Sequence, residues 1–375
     1  LGDNVKGKIV LVKSATTLLR SAFVAYAKRY EEKDLDKLPD TYMLGRGMLE
    51  FYVKMLAKEN KAQQYLQQKG AVALLSMNGT GRDGTLFVDG TPAYAKGYDA
   101  PIPQVVVSTE DYMRLQRLLA DKKDVELEMN IQNKWYNDDL QGYNVIGEIP
   151  GTDPALKTQV VMLGGHLDSW HSGTGATDNG AGCIVMMEAL RILKALGVQP
   201  KRTVRIALWG GEEEGLLGSF GYVKKHFGNP ADMKLSPEQK NISVYFNLDN
   251  GSGKIRGIYL QNNEAVGPIF KSWLQPFADL DATGVTKSNT GSTDHLSFDA
   301  VGIPAFQFIQ DPLEYETRTH HSNMDVYDHL QIADLKQAAQ VVAGFIYNAA
   351  MRDEMIPRKP LPKAERFVFD TDEPL

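Results

Sequence analysis

From residue 145 onward the chain repeats one unit: a short apolar run, a glycine-bearing turn carrying acids or a histidine, and a helical stretch. Residues 145–149, 159–163, 203–209, 242–246 and 304–309 read as strands, and 181–196, 213–226 and 332–351 as helices. Strands alternating with helices predict an α/β fold with a mixed, largely parallel sheet sandwiched by helices. Such sheets bind ligands beyond the carboxyl ends of their strands, so the residues that follow each apolar run come under scrutiny first.

Those residues are acids and histidines. Gly164-Gly165-His166-Leu167-Asp168 follows one run, and Asp178-Asn179 comes after a loop holding Gly173 and Gly175. Glu212, Glu213 and Glu214 follow the next, Asp249 another, and His320-His321 lie in a loop ahead of Ser322 and Asp325. A lone histidine is more often a hydrogen-bonded core residue, and Asp before a helix is more often an N-cap. Three adjacent glutamates repel one another beyond what a helix N-terminus offsets, so a nearby cation accounts for them better. One glutamate can ligate while its neighbour serves as general base. A carboxylate at the end of an apolar strand is costly unless paired or ligating, and Asp249 is such a group. His166 and Asp168 have the spacing for the carboxylate to orient the imidazole, a common outer-sphere role. Three carboxylates, a bridging hydroxide and two neutral imidazoles balance two zinc ions. With no sulfur ligand required, manganese or cobalt could substitute.

The first 135 residues read differently. Residues 8–12, 71–75 and 104–107 look like strands, 48–68 like a long helix ending at Gly70, and 109–120 like a helix capped by Ser108. Val125, Leu127, Met129 and Ile131 alternate with polar residues, the period of a half-buried strand. Nothing here gathers a His/Asp/Glu site. The polar stretch 133–142 divides the chain, giving domains at 1–135 and 136–356 and a proline-rich, charged surface tail at 357–375.

Composition narrows the function classes. A net charge of −6 and a pI near 5.7 offer no bulk attraction to nucleic acid or an anionic membrane, and no run approaches the ~18 apolar residues of a membrane span. Leu1-Gly2-Asp3-Asn4 is not a signal peptide, so the sequence reads as a mature or trimmed form. Cys183 is the sole cysteine, so zinc must be held by imidazole and carboxylate. The run 79–84 matches Gly-x-Gly-x-x-Gly, yet strand-like Thr85-Leu86-Phe87-Val88 follows it, and a dinucleotide fingerprint needs a helix there.

These motifs resemble the zinc exopeptidases that include bacterial leucyl aminopeptidases, carboxypeptidase Q (plasma glutamate carboxypeptidase), glutamate carboxypeptidase II and the non-catalytic transferrin receptor. The likeness covers roughly residues 140–350, and His166-Leu167-Asp168-Ser169-Trp170 with the twelve-residue step to Asp178-Asn179 looks most like the carboxypeptidase Q branch. Residues 1 to about 135 resemble a protease-associated domain, through residues 7–12 and 102–107. The resemblance implies two zinc ions: His166 and Asp249 on one, Glu213 and His321 on the other, and Asp178 on both. It implies Glu212 as general base, with the register anchored on Gly215-Leu216, Asp168 behind the ligands, and a cis peptide at Asp178-Asn179. It also implies an extracytoplasmic setting, periplasmic or secreted. Family members often carry catalytic-domain sequence before the insert, and this sequence starts almost at the insert.

The expected activity is hydrolysis at a peptide terminus, aminopeptidase or dipeptidase in preference to carboxypeptidase. Surplus acids (Glu214, Asp294, Asp311, Glu314) suit a substrate amine, whereas Arg318 or Lys287 would serve a terminal carboxylate. Tyr315 suits the pocket in either case. A glutaminyl cyclase and a receptor-like binding protein share the fold, but the complete ligand set argues against both.

Overall fold

The computed structural model describes residues 3–12, 25–38, 58–59, 61–88, 102–134, 136 and 138–365. A seven-stranded sheet dominates. Its strands are β4 (Val145–Ile149), β5 (Val160–His166), β6 (Thr203–Trp209), β9 (Ile242–Asn247), β10 (Ile255–Tyr259), β11 (Gly284–Thr286) and β12 (Ala305–Gln310), in the order β11-β10-β12-β9-β5-β6-β4. The central run β12-β9-β5-β6 is parallel, while β4 on β6 and β12 on β10 pair antiparallel. The sheet is therefore mixed and largely parallel, as the alternation of elements predicts.

Side chains alternate across this sheet and divide the core in two. Val161, Leu163, Val204, Ile206, Val244 and Phe246 pack one face against α2 (Ala181–Ala195) and α6 (Ile332–Met351). Met162, Ala207, Trp209 and Tyr245 fill the other, with Val223 of α3 (Leu217–His226) and Phe298 of α5 (His295–Asp299). Strands buried on both faces read as continuous apolar runs, which is why residues 159–163 and 203–209 are legible. A fully buried Phe or Ile stabilises by about 1.5–3 kcal/mol, and α6 alone buries Val341, Val342, Phe345 and Ile346. Beside β10 lies α4 (Gly267–Leu274), and β7 (Gly228–Asn229) pairs with β8 (Lys234–Leu235) in a separate two-stranded ribbon.

Two glycines carry β5 to its end. A Cβ at Gly164 would lie 2.2 Å from the Ala207 carbonyl and 2.9 Å from the Tyr245 hydroxyl. Gly164→Ala should therefore push β5 from β6. We expect a loss at or above the upper end of about 1–3 kcal/mol, read as a lower urea midpoint; an unchanged midpoint would refute the close approach.

A smaller parallel sheet joins β1 (Ile9–Leu11), β2 (Ala73–Ser76) and β3 (Gln104–Val106), with α1 (Thr109–Ala120) following. Ser108 caps α1, its hydroxyl accepting from Asp111 N at 3.2 Å. Residues 58–59 and 61–68 are helical, with Gly70 at φ +80 after them, while 48–57 and 60 lie outside the described residues. The strand expected at 125–131 does not form: Leu127 and Ile131 are exposed, and alternation without a partner strand makes no sheet. Residues 357–365 carry no regular element and are pinned by Arg358, which donates to the carbonyls of Gly302, Gln239 and Ile242. Among the described residues no helix is long and apolar enough to cross a membrane.

Candidate metal centre

Four parallel strands deliver the acids and histidines to one place. β5 ends in His166, β6 runs through Trp209 into the turn holding Glu212 and Glu213, and β9 leads through Asn247 to Asp249. β12 leads by the helical turn Tyr315–Thr319 to His320 and His321. Asp178 arrives from the loop before α2, with a cis peptide to Asn179. The helix expected from Glu213 begins at Leu217 instead, because Gly211 and Leu216 take left-handed backbone and close a turn around Glu212–Gly215. That turn leaves both glutamates outside the helix and free to face the strand ends.

The distances fall into two groups that share Asp178. Its Oδ1 lies 3.2 Å from His166 Nε2, which is 3.1 Å from Asp249 Oδ1. Its Oδ2 lies 3.4 Å from His321 Nε2, which is 3.0 Å from Glu213 Oε2. Tetrahedral ligands held at about 2.0 Å stand about 3.3 Å from one another, which each imidazole-to-carboxylate distance approaches. Among the described residues, the donor atoms that all lie within 4.8 Å of one another are those of His166, Asp178 and Glu213 and those of Asp178, His320 and His321. Glu212 Oε2 stands further back, 3.9 Å from His166 Nε2. His320 Nε2 is 3.8 Å from Asp178 Oδ2, and its ring lies against His321 with centroids 3.8 Å apart. His321 is thus the better placed of the two.

Electrostatics fit a cation. Burial works against the Asp178 anion, yet the hydrogen bond to His166 and the charges of the three histidines hold its carboxyl at about 2. Burial pushes Glu213 up to about 7, with His321 opposing and Asp178 adding to the rise. Glu212 is raised well above the usual glutamate range by burial and by Asp249, Asp294 and Glu213, with His166 opposing. Burial disfavours His166 as a cation, but Asp249 and Glu212 raise it well above the ordinary value. Asp178 Oδ2 and Glu213 Oε1 are buried and accept no hydrogen bond. Buried carboxylate oxygens left bare beside imidazole nitrogens are donors that suit zinc.

Neighbouring groups fix the ligands, though not always as expected. The carboxylate of Asp168 does not orient His166: its Oδ1 is 3.8 Å from Nδ1, whereas the Asp168 main-chain carbonyl is 3.0 Å away. That carbonyl accepts from Nδ1, and Nε2 is the nitrogen turned toward Asp249 and Asp178. The Asp168 Oδ2 instead accepts from Glu213 N at 3.0 Å, tying the β5 loop to the glutamate turn. Asp325 holds no imidazole but accepts from Thr177 N, Thr177 Oγ1 and Asp178 N, at 2.6, 2.8 and 3.2 Å. Sequence reasoning missed Trp170, whose ring lies 5.7 Å from that of His321, and Asn323, which binds the smaller sheet's β2–β3 segment.

Most acids expected to meet a substrate amine are otherwise engaged. Asp294 is completely buried, with burial raising it to about 7, so it is no cleft contact. Asp311 is sealed between Arg29 and Arg256, and Glu314 pairs with His329. Glu214 alone of the four is exposed beside Asp168. Lys287 pairs with Glu264 at 3.1 Å. Arg318 stacks on Tyr26 at 4.9 Å, with Arg82 at 5.1 Å from the same ring. Tyr315 is buried against His320, and burial with the charges of Asp178 and Asp249 keeps its hydroxyl protonated.

The part of the chain that carries these residues is similar to known proteins. Residues 144–346 match Peptidase family M28. Carboxypeptidase Q of Bos taurus is 30% identical over 269 residues, covering 72% of this chain and 54% of that protein. Aminopeptidase YwaD of Bacillus subtilis (strain 168) is 28% identical over 345 residues, covering 90% and 68%. The chain spans about half the length of the carboxypeptidase Q relatives it matches. Among solved structures, a peptidase M28 precursor from Shewanella amazonensis SB2B superposes with a TM-score of 0.63 at 26% identity, over 82% of this chain and 66% of that one. The matched span contains every strand end that feeds the centre, and the chain belongs to Peptidase family M28.

Proposed function

We propose that the chain is a two-zinc exopeptidase hydrolysing peptide bonds at a peptide terminus, with residues 136–356 as catalytic domain, 1–135 as a protease-associated domain and 357–375 as surface tail. The observation that carries this reading is the placement of the two Asp178 oxygens, one beside His166, whose Nε2 also meets Asp249, the other beside His321, whose Nε2 also meets Glu213. His166 and Asp249 would hold one ion, Glu213 and His321 the other, and Asp178 both. Zinc so bound supplies a Lewis acid that polarises the scissile carbonyl and acidifies water. Manganese or cobalt would serve the same donor set. Glu212 takes the proton of the attacking water and delivers it to the departing amine, a role that its place behind the closer-set carboxylates allows. Asp168 holds the glutamate turn in place through Glu213 N. An extracytoplasmic setting belongs to the same reading and rests on the family resemblance.

The charged groups near the centre bear on which end of the peptide is read. Glu214, exposed beside the centre, is the acid that would meet a substrate amine, which favours an aminopeptidase or dipeptidase. Arg82 and Arg318 around Tyr26 support a second reading, a carboxypeptidase that grips a terminal carboxylate. Zinc-loaded protein given an unblocked dipeptide and its N-acetylated twin separates them. Cleavage of the unblocked form alone is expected; cleavage of the acetylated twin would establish the carboxypeptidase, and cleavage of neither would contradict a peptidase.

A further inference from the structure

The backbone of His321 sits at φ +56, in the left-handed region that is uncommon for residues other than glycine. Such a conformation persists only where its surroundings hold it there. Much of what holds it comes from far away in sequence. Val88 N donates to the His321 carbonyl at 2.8 Å, and Asn323 N donates to the Leu86 carbonyl at 3.0 Å. Leu86 N in turn donates to Asn323 Oδ1 at 2.8 Å, and Phe87 and Ser322 form an antiparallel bridge. Residues 86–88 thus act as a short strand laid along the back of the histidine loop, with Phe87 buried in the seam. The same two loops are clasped a second time through Tyr26. Its ring carries Arg82 from one loop and Arg318 from the other, and its carbonyl accepts from Thr317 Oγ1 at 2.7 Å.

We propose that residues 86–88, on the segment between β2 and β3, position His321 for metal binding, and that Asn323 is the positioning residue through which they act. The smaller sheet's unit is then part of the metal centre's support rather than an appendage to it. This inference rests on the reading of His321 as a ligand. The Asn323 side chain accepts from Leu86 N, so its influence on His321 passes through the main chain of the loop. Outer-sphere partners that orient a ligand are typically worth about 10–100-fold in metal affinity.

The test measures zinc affinity of the full chain by competition with a chromophoric chelator, together with hydrogen exchange of residues 317–325 without metal. Four variants are compared: Asn323→Leu, Asn323→Asp, Val88→Pro and His321→Ala. Asn323→Leu removes the acceptor for Leu86 N, and Val88→Pro removes the donor to His321 without altering the histidine loop. Both should weaken zinc binding about 10–100-fold and speed exchange in the loop. Asn323→Asp keeps an acceptor oxygen and should bind zinc within a few-fold of the parent, a rescue that a merely space-filling role would not require. Should Asn323→Leu fail to fold, Val88→Pro decides alone. If His321→Ala weakens zinc binding while Asn323→Leu and Val88→Pro bind as the parent does, the positioning role is overturned. If His321→Ala itself binds zinc as tightly as the parent, the ligand reading fails and the inference falls with it.

Discussion

Glu212→Gln is expected to keep its zinc and lose about 10²–10⁴-fold in kcat, the usual share of a general acid–base. The amide has the shape of the carboxylate but cannot take a proton from water. Glu212 stands behind the two groups of close-set ligand atoms, so zinc content should match the parent by elemental analysis. Its neighbour gives the contrasting control. Glu213 Oε2 is 3.0 Å from His321 Nε2, and Glu213→Gln should weaken zinc binding as well as turnover. A Glu212→Gln variant with parental kcat would mean that the base is misassigned. Loss of zinc in that variant would mean that Glu212 is a ligand.

The second large effect is at Asp178, whose two oxygens lie beside His166 and His321. Asp178→Ala should lower zinc affinity by more than the ~100-fold typical of losing an outer-sphere partner, and turnover should fall with it. Its fold should survive, because Asp325 still holds Thr177 and the residue 178 main chain. Competition with a chelator measures the first effect, and a thermal melt of metal-free protein checks the second. Unchanged zinc stoichiometry and affinity would remove the bridging role.

How much of this was legible in the sequence depends on what each element packs against. β5, β6, β9 and β12 stand out because both faces are buried, so each is a run of apolar residues. β5 is expected to stop at Leu163 but continues to His166, since Gly164 and Gly165 stay in the ladder with β6. β10, β11, α4 and α5 escape notice: β10 holds Arg256 and Gly257, β11 has three residues and α5 five, too short for a period to show. Residues 125–131 fail in the opposite way, having the period but no partner.

The candidate site divides along the same line. Acids and histidines at strand ends are visible because their polarity interrupts apolar runs. The task of each carboxylate is not, because it depends on which loops meet. Asp168 faces Glu213 N rather than His166 because the glutamate turn folds over it. Asp294 is buried behind the centre, although its sequence context is that of a loop acid. Asn323 finds its partner at Leu86, 237 positions away, and no local pattern announces such a contact.

The central claim is that two metal ions share Asp178. Anomalous diffraction from zinc-loaded crystals, recorded on both sides of the zinc absorption edge, tests it most directly. Two peaks are predicted, one between His166 and Asp249 and one between Glu213 and His321, each also next to an Asp178 oxygen. A single peak, or one lying on His320 in place of His321, would contradict the account.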